Sequence, residues 1–281
     1  MEKRASRRIP NVLSLAGVDP SGGAGLLADI KTISALGAYA CGVVTALTAQ
    51  NTREVSGIQD VPPDFIRLQM ETLFSDVAID AVKIGMLSRT ETILAVAQEL
   101  QKFSPHHIVL DPVMVAKSGA CLLSKSAVQA LRTEMLPLCS VVTPNLPEAM
   151  ALLGEQGAPE AKDMPEMAGR LWELCGRKAL VYLKGGHLDG SQVIDVVFDG
   201  VEMRRFEGGR ICTKNTHGTG CALSSALAAL LPQSDSPWAA ARKAHDYLRE
   251  AIAHSGNISV GEGYGPVDHF WSFRRDEKHG A

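Results

Sequence analysis

Residues 214–231 read KNTHGTGCALSSALAALL, and their small polar residues run directly into an apolar helical pattern. Gly218, Thr219 and Gly220 leave the backbone unobstructed at the first turn of this helix, so its N–H groups and the positive end of its dipole can hold an anion. Cys221 lies at the mouth of this cradle, where the same field favours its thiolate and makes it a candidate base toward a substrate hydroxyl. The alternative is a glycine-rich turn followed by a buried cysteine, because free cysteines are commonly buried.

Outward from this segment, apolar runs of strand length alternate with helical patterns. The predicted strands cover residues 12–16, 43–49, 81–85, 108–111, 141–144 and 180–184. The predicted helices cover residues 23–36, 63–74, 90–101, 124–136, 147–153, 165–175, 219–231 and 237–254. This alternation requires crossover connections and predicts an α/β fold with a mainly parallel central sheet covered by helices on both faces. Asp199 and Gly200, between two further strands at 193–198 and 203–206, form a hairpin signal that adds a small antiparallel edge.

The composition predicts an ordinary globular enzyme. With 281 residues, of which 46% are hydrophobic and 21% charged, the chain can bury a large core. We expect a single domain over residues 1–281, with flexible ends at 1–10 and 274–281. The net charge of −3, from 28 basic and 31 acidic residues, provides no broad basic field, so we expect no nucleic-acid partner. No apolar stretch approaches the length of a membrane span, so we expect no membrane partner.

The cysteines indicate the redox environment. The chain has 6 cysteines, at positions 41, 121, 139, 175, 212 and 221, with no CxxC pair and no regular spacing. This pattern argues against a zinc site and against a disulfide framework. Reduced thiols fit a cytoplasmic protein best.

Polar motifs follow six of the predicted strands. They are AGVDPSGGAG (16–25), TAQN (48–51), KIGML (83–87), LDPVM (110–114), TPNLPE (143–148) and KGGH (184–187). Ligands of open α/β sheets bind beyond the carboxyl ends of the strands. We therefore expect the functional side chains in these six segments.

The first motif follows a strand and opens a helix, as dinucleotide-binding turns do. It lacks the GxGxxG order, and no acidic residue ends a second strand about 20 residues later, so the sequence argues against a dinucleotide site. A tight turn that lets a substrate approach the backbone fits residues 17–25 better. The shortness of this segment also leaves no room for large lid strands.

Three oxygen-bearing side chains form a candidate magnesium site. Asn145 and Glu148 are three residues apart at a predicted helix start and can face the same way, toward Mg²⁺ or its waters beside a phosphate. Asp111, at another strand end, can supply a further oxygen ligand. The alternatives are helix capping by Asn145 with an exposed Glu148, and simple strand termination at Asp111.

Lys184 lies between an apolar strand and Gly185-Gly186. It can be a surface lysine that extends to solvent, or a cation that holds a transferring phosphate. We favour the second interpretation because of its position at a strand end.

Taken together in this order, the motifs resemble those of a known family. AGVDPSGGAGLLADIKTISALGAYACGVVTALTAQNT, KIGMLS, VLDPVMVAKSG, TPNLPEA, KGGH and NTHGTGC are similar to the hydroxymethylpyrimidine/phosphomethylpyrimidine kinases of thiamine biosynthesis, in the ribokinase superfamily. The similarity extends from about residue 11 to residue 270. It implies a ribokinase-like three-layer αβα sandwich without a large lid, and usually a homodimer. It also implies ATP-dependent phosphorylation of 4-amino-5-hydroxymethyl-2-methylpyrimidine and then of its monophosphate to the diphosphate.

The resemblance implies roles for several residues of the 214–231 segment. Gly218, Thr219, Gly220 and Cys221 match the superfamily's anion-hole motif, in which Thr219 also contacts phosphate. That motif usually ends in an aspartate base. A cysteine at this position is characteristic of the pyrimidine kinases.

The resemblance also implies an acceptor site. Gln50 matches the glutamine that hydrogen-bonds the aminopyrimidine edge. The positions around the ring are matched by Gly17, Ala24, Val44, Met86 and Val113. Asp29, in GLLADIK, matches another position of the family's substrate site.

The nucleotide site follows from the same resemblance. Asp111, Glu148 and Lys184 match residues associated with Mg²⁺ and the ATP phosphates, and Asn145 belongs to the same motif. His245 stands near the expected nucleotide pocket, where relatives often have a lysine. ATP and Mg²⁺ are therefore the expected cofactors.

Two other functions remain open at this point. Some pyridoxal kinases closely resemble pyrimidine kinases and also carry the cysteine. A kinase-derived binding protein without turnover is a more distant alternative, against which Asp111, Glu148, Lys184 and Cys221 argue.

Overall fold

The structure is a computed structural model that describes residues 8–114 and 123–274. Its strands form one sheet in the order β3-β2-β1-β4-β5-β6-β7-β8-β9. The strands are β1 (Asn11–Val18), β2 (Tyr39–Gln50), β3 (Val55–Asp60), β4 (Ala81–Ile84), β5 (His107–Leu110), β6 (Val141–Val142), β7 (Leu180–Leu183), β8 (Gln192–Phe198) and β9 (Met203–Gly209). The central strands, from β2 to β7, are parallel. The predicted mainly parallel sheet is confirmed.

Helices cover both faces of the sheet, which confirms the three-layer αβα architecture. They are α1 (Gly25–Ala35), α2 (Pro63–Phe74), α3 (Thr90–Phe103), α4 (Lys125–Ala130), α5 (Leu146–Leu153), α6 (Met164–Leu174), α7 (Thr219–Leu230) and α8 (Pro237–Ala253). One core cluster joins the sheet to α2 through α6, and a second joins it to α1, α7 and α8. Within the described ranges, no helix is both long enough and apolar enough to cross a bilayer.

The sheet is antiparallel at both edges, whereas the sequence predicted one antiparallel edge. The predicted hairpin of β8 and β9 is present, with Gly200 at φ +96° in its turn. At the other edge, β3 pairs antiparallel with β2. The predicted antiparallel edge is therefore confirmed, and β3 adds a second one. The sequence did not predict β3 because this strand is mostly solvent-exposed and lacks the apolar alternation that marks a half-buried strand.

The predicted helix at residues 124–136 is divided in the structure. Ser124 caps α4 by accepting a hydrogen bond from the backbone of Ala127 at 3.2 Å. A π-helical turn at Leu131–Met135 and a 3₁₀ turn at Leu136–Leu138 follow. Pro137 has no N–H group, so an α-helix cannot continue regularly through it.

The predicted flexible ends fall largely outside the described residues, since 1–7 and 275–281 are not described. Arg8 forms an ion pair with Asp80. Arg274 is 2.6 Å from Asp268, in the turn that closes the described chain.

Candidate active site

The anion cradle lies at the start of α7. Gly218 caps this helix with a left-handed backbone at φ +75°, and it has no side chain to occupy the first N–H groups. A Cβ at Gly218 would overlap the carbonyl oxygen of Gly23, so the turn from the first motif touches the cradle. Glycine is therefore required here both for the backbone angle and for the close approach.

An ion pair faces the first turn of α7 from two strand ends. Nζ of Lys184, after β7, lies 3.0 Å from Oδ1 of Asp111, after β5. A Cβ at Gly220 would lie 3.2 Å from Nζ of Lys184 and 3.4 Å from Oδ2 of Asp111. The Lys184 side chain is 15% exposed and that of Asp111 is 2% exposed. An anion bound at the helix start would therefore have the Lys184 ammonium beside it.

Asn145 and Glu148 form a capping box at the start of α5. Oδ1 of Asn145 accepts the N–H of Glu148 at 2.9 Å, and Oε2 of Glu148 accepts the N–H of Asn145 at 2.8 Å. The capping alternative is thus observed, but Glu148 is buried rather than exposed, with Oε2 3.8 Å from Nζ of Lys184. The same carboxylate therefore belongs both to the helix cap and to the charged cluster.

The charges in this cluster influence one another. Burial and the charge of Asp111 raise the pKa of Glu148 to about 7, although Lys184 opposes the shift. Burial alone would lower the pKa of Lys184, but the two carboxylates raise it above its ordinary value. The cluster thus carries more negative than positive charge once Glu148 is ionised.

Cys221 lies in the first turn of α7 and is partly accessible. Burial raises the pKa of its thiol to about 11; Lys83 opposes this shift, whereas Asp29 and Asp111 add to it. The backbone N–H of Gly25 donates to the sulfur. The helix start was expected to favour the thiolate of Cys221, whereas desolvation and two nearby carboxylates raise the pKa of its thiol.

Asp29 lies in the interior, on the inner face of α1. Its carboxylate accepts hydrogen bonds from Ser14 at 2.6 Å and Ser225 at 2.7 Å, and it lies 2.8 Å from Nζ of Lys83. The side chains of Asp29 and Lys83 are both 0% exposed. The structure thus places Asp29 beneath the site, bonded to the chain's own groups, rather than on a surface that a substrate could touch.

Of the other predicted acceptor residues, Gly17, Met86 and Val113 lie near the ends of β1, β4 and β5, Ala24 precedes α1, and Val44 lies within β2 opposite Ala16 of β1. A Cβ at Gly17 would lie 2.5 Å from Cε of Met86, so these two residues are in close contact. The N–H of Ala24 donates to Asp19 at 3.0 Å in the same turn. Val44 and Val113 are half-buried.

Gln50 ends β2 at a small surface cleft that it lines together with His217, Tyr264 and the turn at 51–55. The amide lies near two polar groups, with Oε1 3.2 Å from Oγ1 of Thr48 and Nε2 3.5 Å from Nε2 of His217.

His245 is on α8 and lies away from the Lys184 cluster. Its Nδ1 is 3.0 Å from the hydroxyl of Tyr182 and 3.6 Å from Asp195. Asp195 in turn accepts the N–H of Gly185 at 2.9 Å. His245 is thus a buried residue whose nearest link to the cluster runs through Asp195 and the backbone beside Lys184.

Known proteins that resemble this chain are kinases. The family model for phosphomethylpyrimidine kinase matches residues 19–268. The chain belongs to this family. It is 51% identical to the hydroxymethylpyrimidine/phosphomethylpyrimidine kinase of Escherichia coli over 92% of this chain and 97% of that one. The kinase of the same description from Rhizobium meliloti is 47% identical, over 94% and 98% of the two chains.

Solved structures agree with the fold. A phosphomethylpyrimidine kinase from Clostridium difficile is 36% identical and superposes with a TM-score of 0.76, over 87% of this chain and 100% of that one. An ADP complex of Bacillus subtilis pyridoxal kinase is 32% identical, with a TM-score of 0.87 over 95% and 100%. The ribokinase-like fold of this phosphomethylpyrimidine kinase family member is thereby confirmed.

Sequence reasoning missed two residues that lie beside the predicted acceptor positions, Asp19 and His217. Nε2 of His217 lies 2.8 Å from Oδ2 of Asp19, although the two residues are 198 positions apart in the sequence. Both side chains are buried. The available signal was that each lies within a quoted motif, but nothing in the sequence indicates that the fold brings those two motifs into contact.

Proposed function

We propose that this kinase phosphorylates the hydroxymethyl group of 4-amino-5-hydroxymethyl-2-methylpyrimidine with ATP, and then phosphorylates the monophosphate to the diphosphate. The observation that carries the proposal is the position of Cys221 and the α7 helix start opposite the Lys184–Asp111 pair. A phosphate donor held there would bring its γ-phosphoryl group close to the sulfur of Cys221, which can take the proton of the acceptor hydroxyl. The similarity of the whole chain to enzymes of this description supports the choice of acceptor.

Charge neutralisation supplies most of the catalysis in this proposal. Phosphoryl transfer passes through a loose transition state with charge spread over the phosphoryl oxygens. The N–H groups at the start of α7 and the ammonium of Lys184 are positioned to stabilise that charge. Gly220 makes this possible, because a larger residue would come between the helix and the lysine.

The acidic residues fit a magnesium ion. Asp111 and Glu148 are buried and converge on a single cation, Lys184, and burial together with the charge of Asp111 raises the pKa of Glu148 to about 7. Mg²⁺ is usually bound by one or two carboxylates together with substrate phosphates, which is the donor set that this site offers. When bound, the ion would neutralise charge on the phosphates. Neutralising either residue to its amide should raise the Mg²⁺ concentration required for activity, and an unchanged requirement in both variants would remove them from this role.

Cys221 handles the acceptor proton in this proposal. With a thiol pKa of about 11, its sulfur holds a proton at neutral pH. In a loose transition state the hydroxyl loses its proton late, so little basicity is needed. As the acceptor oxygen bonds to phosphorus and ADP leaves, the sulfur takes the hydroxyl proton and passes its own proton to an oxygen of the transferred phosphoryl group. No free thiolate forms beside the carboxylates.

The deciding experiment measures ADP release from ATP with four acceptors side by side: the hydroxymethylpyrimidine, its monophosphate, pyridoxal and ribose. The proposal expects the two pyrimidines to give the highest kcat/KM. Greater efficiency with pyridoxal would assign the chain to the pyridoxal kinases, whose structures superpose well on it at about 31–32% identity. Ligand binding without ADP release would indicate a kinase-derived binding protein.

We also propose that the protein acts as a homodimer. The edge formed by β2 and β3 and the neighbouring α2 expose apolar side chains at Leu47, Ile58, Phe65 and Leu68. Exposed apolar surface of this kind is typical of contacts between subunits. Light scattering of the purified protein at several concentrations would test the assembly, with a monomeric mass as the contradicting result.

A cytoplasmic location completes the proposal. The described cysteines, at 41, 139, 175, 212 and 221, are all free. Free thiols are typical of a reducing compartment. Fractionation of cells that produce the protein would test the location.

A further inference from the structure

Gln50, His217, Asp19 and Thr48 form a connected polar network at the acceptor side of the cleft. Nε2 of His217 is 2.8 Å from Oδ2 of Asp19 and 3.5 Å from the amide of Gln50. Oγ1 of Thr48 is 3.2 Å from the other end of that amide and 2.9 Å from the carbonyl oxygen of Val18. The amide is therefore held between a histidine and a threonine.

Asp19 determines where His217 carries its proton. The carboxylate also accepts hydrogen bonds from the backbone of Ser21 at 2.9 Å and of Ala24 at 3.0 Å, and from Oγ of Ser21 at 2.9 Å. Burial opposes ionisation, but hydrogen bonds from His217 and Ser21 lower the pKa of Asp19. Facing an ionised carboxylate, Nε2 of His217 must be a donor. Since Nε2 then bears a single hydrogen and no lone pair, it cannot accept a hydrogen bond from the Gln50 amide, and the only group that it presents to the amide is the N–H that it donates mainly to Asp19.

Thr48 constrains the other end of the amide. A hydroxyl has a single hydrogen, and the shorter of the two Thr48 contacts uses it on the carbonyl oxygen of Val18. Toward Gln50, Thr48 therefore offers a lone pair. Heavy-atom positions alone do not distinguish the oxygen of an amide from its nitrogen, so the hydrogen-bond partners decide its orientation.

Only one orientation of the amide satisfies both neighbours. With the nitrogen toward His217, two donors would face each other, and the oxygen would face a hydroxyl whose hydrogen is already used. With the oxygen toward His217 and the nitrogen toward Thr48, the amide N–H donates to the Thr48 oxygen, and the amide oxygen faces an N–H group that is donated mainly to Asp19, so no two donors face each other. The second amide hydrogen and the second lone pair of Oε1 then remain for a ligand.

We propose that Asp19, His217 and Thr48 are positioning residues that fix the orientation of the Gln50 amide and thereby select aminopyrimidines over their oxo analogues. This inference rests on the proposed role of Gln50 in acceptor recognition. An aminopyrimidine presents a ring-nitrogen acceptor beside an amine donor. The analogue with oxygen in place of the 4-amino group presents a ring N–H donor beside an acceptor, which is the opposite order. A fixed amide matches only one of these orders, whereas an amide free to rotate by 180° matches both.

The test compares the amino acceptor with its 4-oxo analogue, by kcat/KM and by calorimetric binding. A site whose polar groups are left unpaired rejects the wrong ligand strongly, so wild-type protein should prefer the amino compound by roughly 100-fold or more. His217→Leu, which removes the donor, should reduce this preference at least tenfold while KM for ATP stays within twofold. His217→Gln, of similar size but with an N–H in a similar position, should retain most of the preference.

A double-mutant cycle separates positioning from packing. If His217 acts through Gln50, then His217→Leu should cause no further loss of acceptor binding in a Gln50→Leu background, because coupled residues are non-additive. Additive losses, or an unchanged amino-to-oxo preference in His217→Leu, would overturn the proposal. Gln59→Leu, at an exposed position on β3 that does not line this cleft, is the matched control and should leave the preference unchanged.

Thr48→Val keeps the test decisive if the histidine variants fail to fold. It removes the lone pair at the other end of the amide, so the preference should again fall, and an unchanged preference would overturn the proposal. Failure of the proposed function gives a different result. Absence of ADP release by wild-type protein would reject that function, while the ratio of binding constants would still report the amide orientation.

Discussion

Lys83 and Asp29 form a completely buried ion pair beneath α7. Their charged atoms are 2.8 Å apart, and both side chains are 0% exposed. Ser225, which donates to Asp29 at 2.7 Å, lies one helical turn after Cys221. The pair therefore joins α1, β4 and α7 directly below the anion cradle.

This relationship predicts an asymmetric response to mutation. Lys83→Met leaves the Asp29 carboxylate buried without its cation, and breaking a buried pair in this way typically costs about 3–5 kcal/mol of stability. The double variant Asp29→Leu/Lys83→Met removes both charges and should recover much of that loss. Urea unfolding of both variants would measure the difference. A single variant no less stable than the double one would contradict the expected cost of an isolated buried charge.

Cys221→Ala should abolish most turnover and leave the fold and ATP affinity nearly intact. The substitution removes the proton-transfer group but keeps the backbone N–H groups of the helix start. Loss of such a group typically lowers the rate by about 10²- to 10⁴-fold. Steady-state kinetics and nucleotide binding would measure both quantities. Wild-type turnover in Cys221→Ala would show that the cysteine has only a packing role. Cys221→Ser can still relay a proton and should retain more activity than the alanine variant.

Alkylation of Cys221 should become fast only at unusually high pH. Because burial raises its pKa to about 11, its thiolate is scarce at pH 8 to 9. Exposed Cys212 provides an internal reference in the same molecule. Iodoacetamide labelling of each residue, followed by mass spectrometry across a pH series, would show the difference. Equal pH profiles for the two cysteines would contradict it.

Glu148 should make the protein less stable as pH rises from about 4.5 to about 7. Its pKa is raised from 4.5 to about 7 in the folded protein, so in this interval the unfolded chain has lost a proton that the folded chain retains. The free energy of unfolding therefore falls through the interval, with no further change from this group above it. Glu148→Gln lacks the titration, and urea unfolding of both proteins across the interval would measure the difference. A constant difference in stability between them at all pH values would disagree with the raised pKa.

Gln50→Leu should reduce catalytic efficiency toward the pyrimidine far more than it weakens ATP binding. The amide supplies both a donor and an acceptor, and leaving a ligand's polar edge unpaired costs roughly 1–3 kcal/mol. Kinetics with each substrate varied in turn would separate the two effects. Gln59→Leu, an exposed glutamine on β3, is the matched control. Equal losses for both substrates, or none for the pyrimidine, would remove Gln50 from acceptor recognition.

The parallel sheet and its strand ends could be predicted because short apolar runs alternate with amphipathic helices. Asp111 and Lys184 each directly follow a buried strand, and the parallel strands of one sheet bring such residues to the same edge, here from β5 and β7 with β6 between them. Strand β3 could not be predicted in the same way. It is stabilised by backbone pairing with β2 rather than by burial of an alternating face.

Contacts between distant motifs could not be derived from local patterns either. His217 meets Asp19 across 198 positions of sequence, so neither residue signals the other. Asp29 illustrates the opposite case. Its place in a motif identified it as important, but only the structure shows that its partners are Lys83, Ser14 and Ser225 rather than a ligand.

The contact between Gly218 and Gly23 has a consequence for how this scaffold can acquire new substrates. Because a Cβ at Gly218 would overlap Gly23, the turn at residues 17–25 and the predicted anion cradle cannot shift independently. Mutant libraries that randomise the residues of either turn should yield mostly inactive protein. Libraries at Val44, Met86 and Val113 leave that backbone contact untouched, so a change of acceptor is most accessible through them.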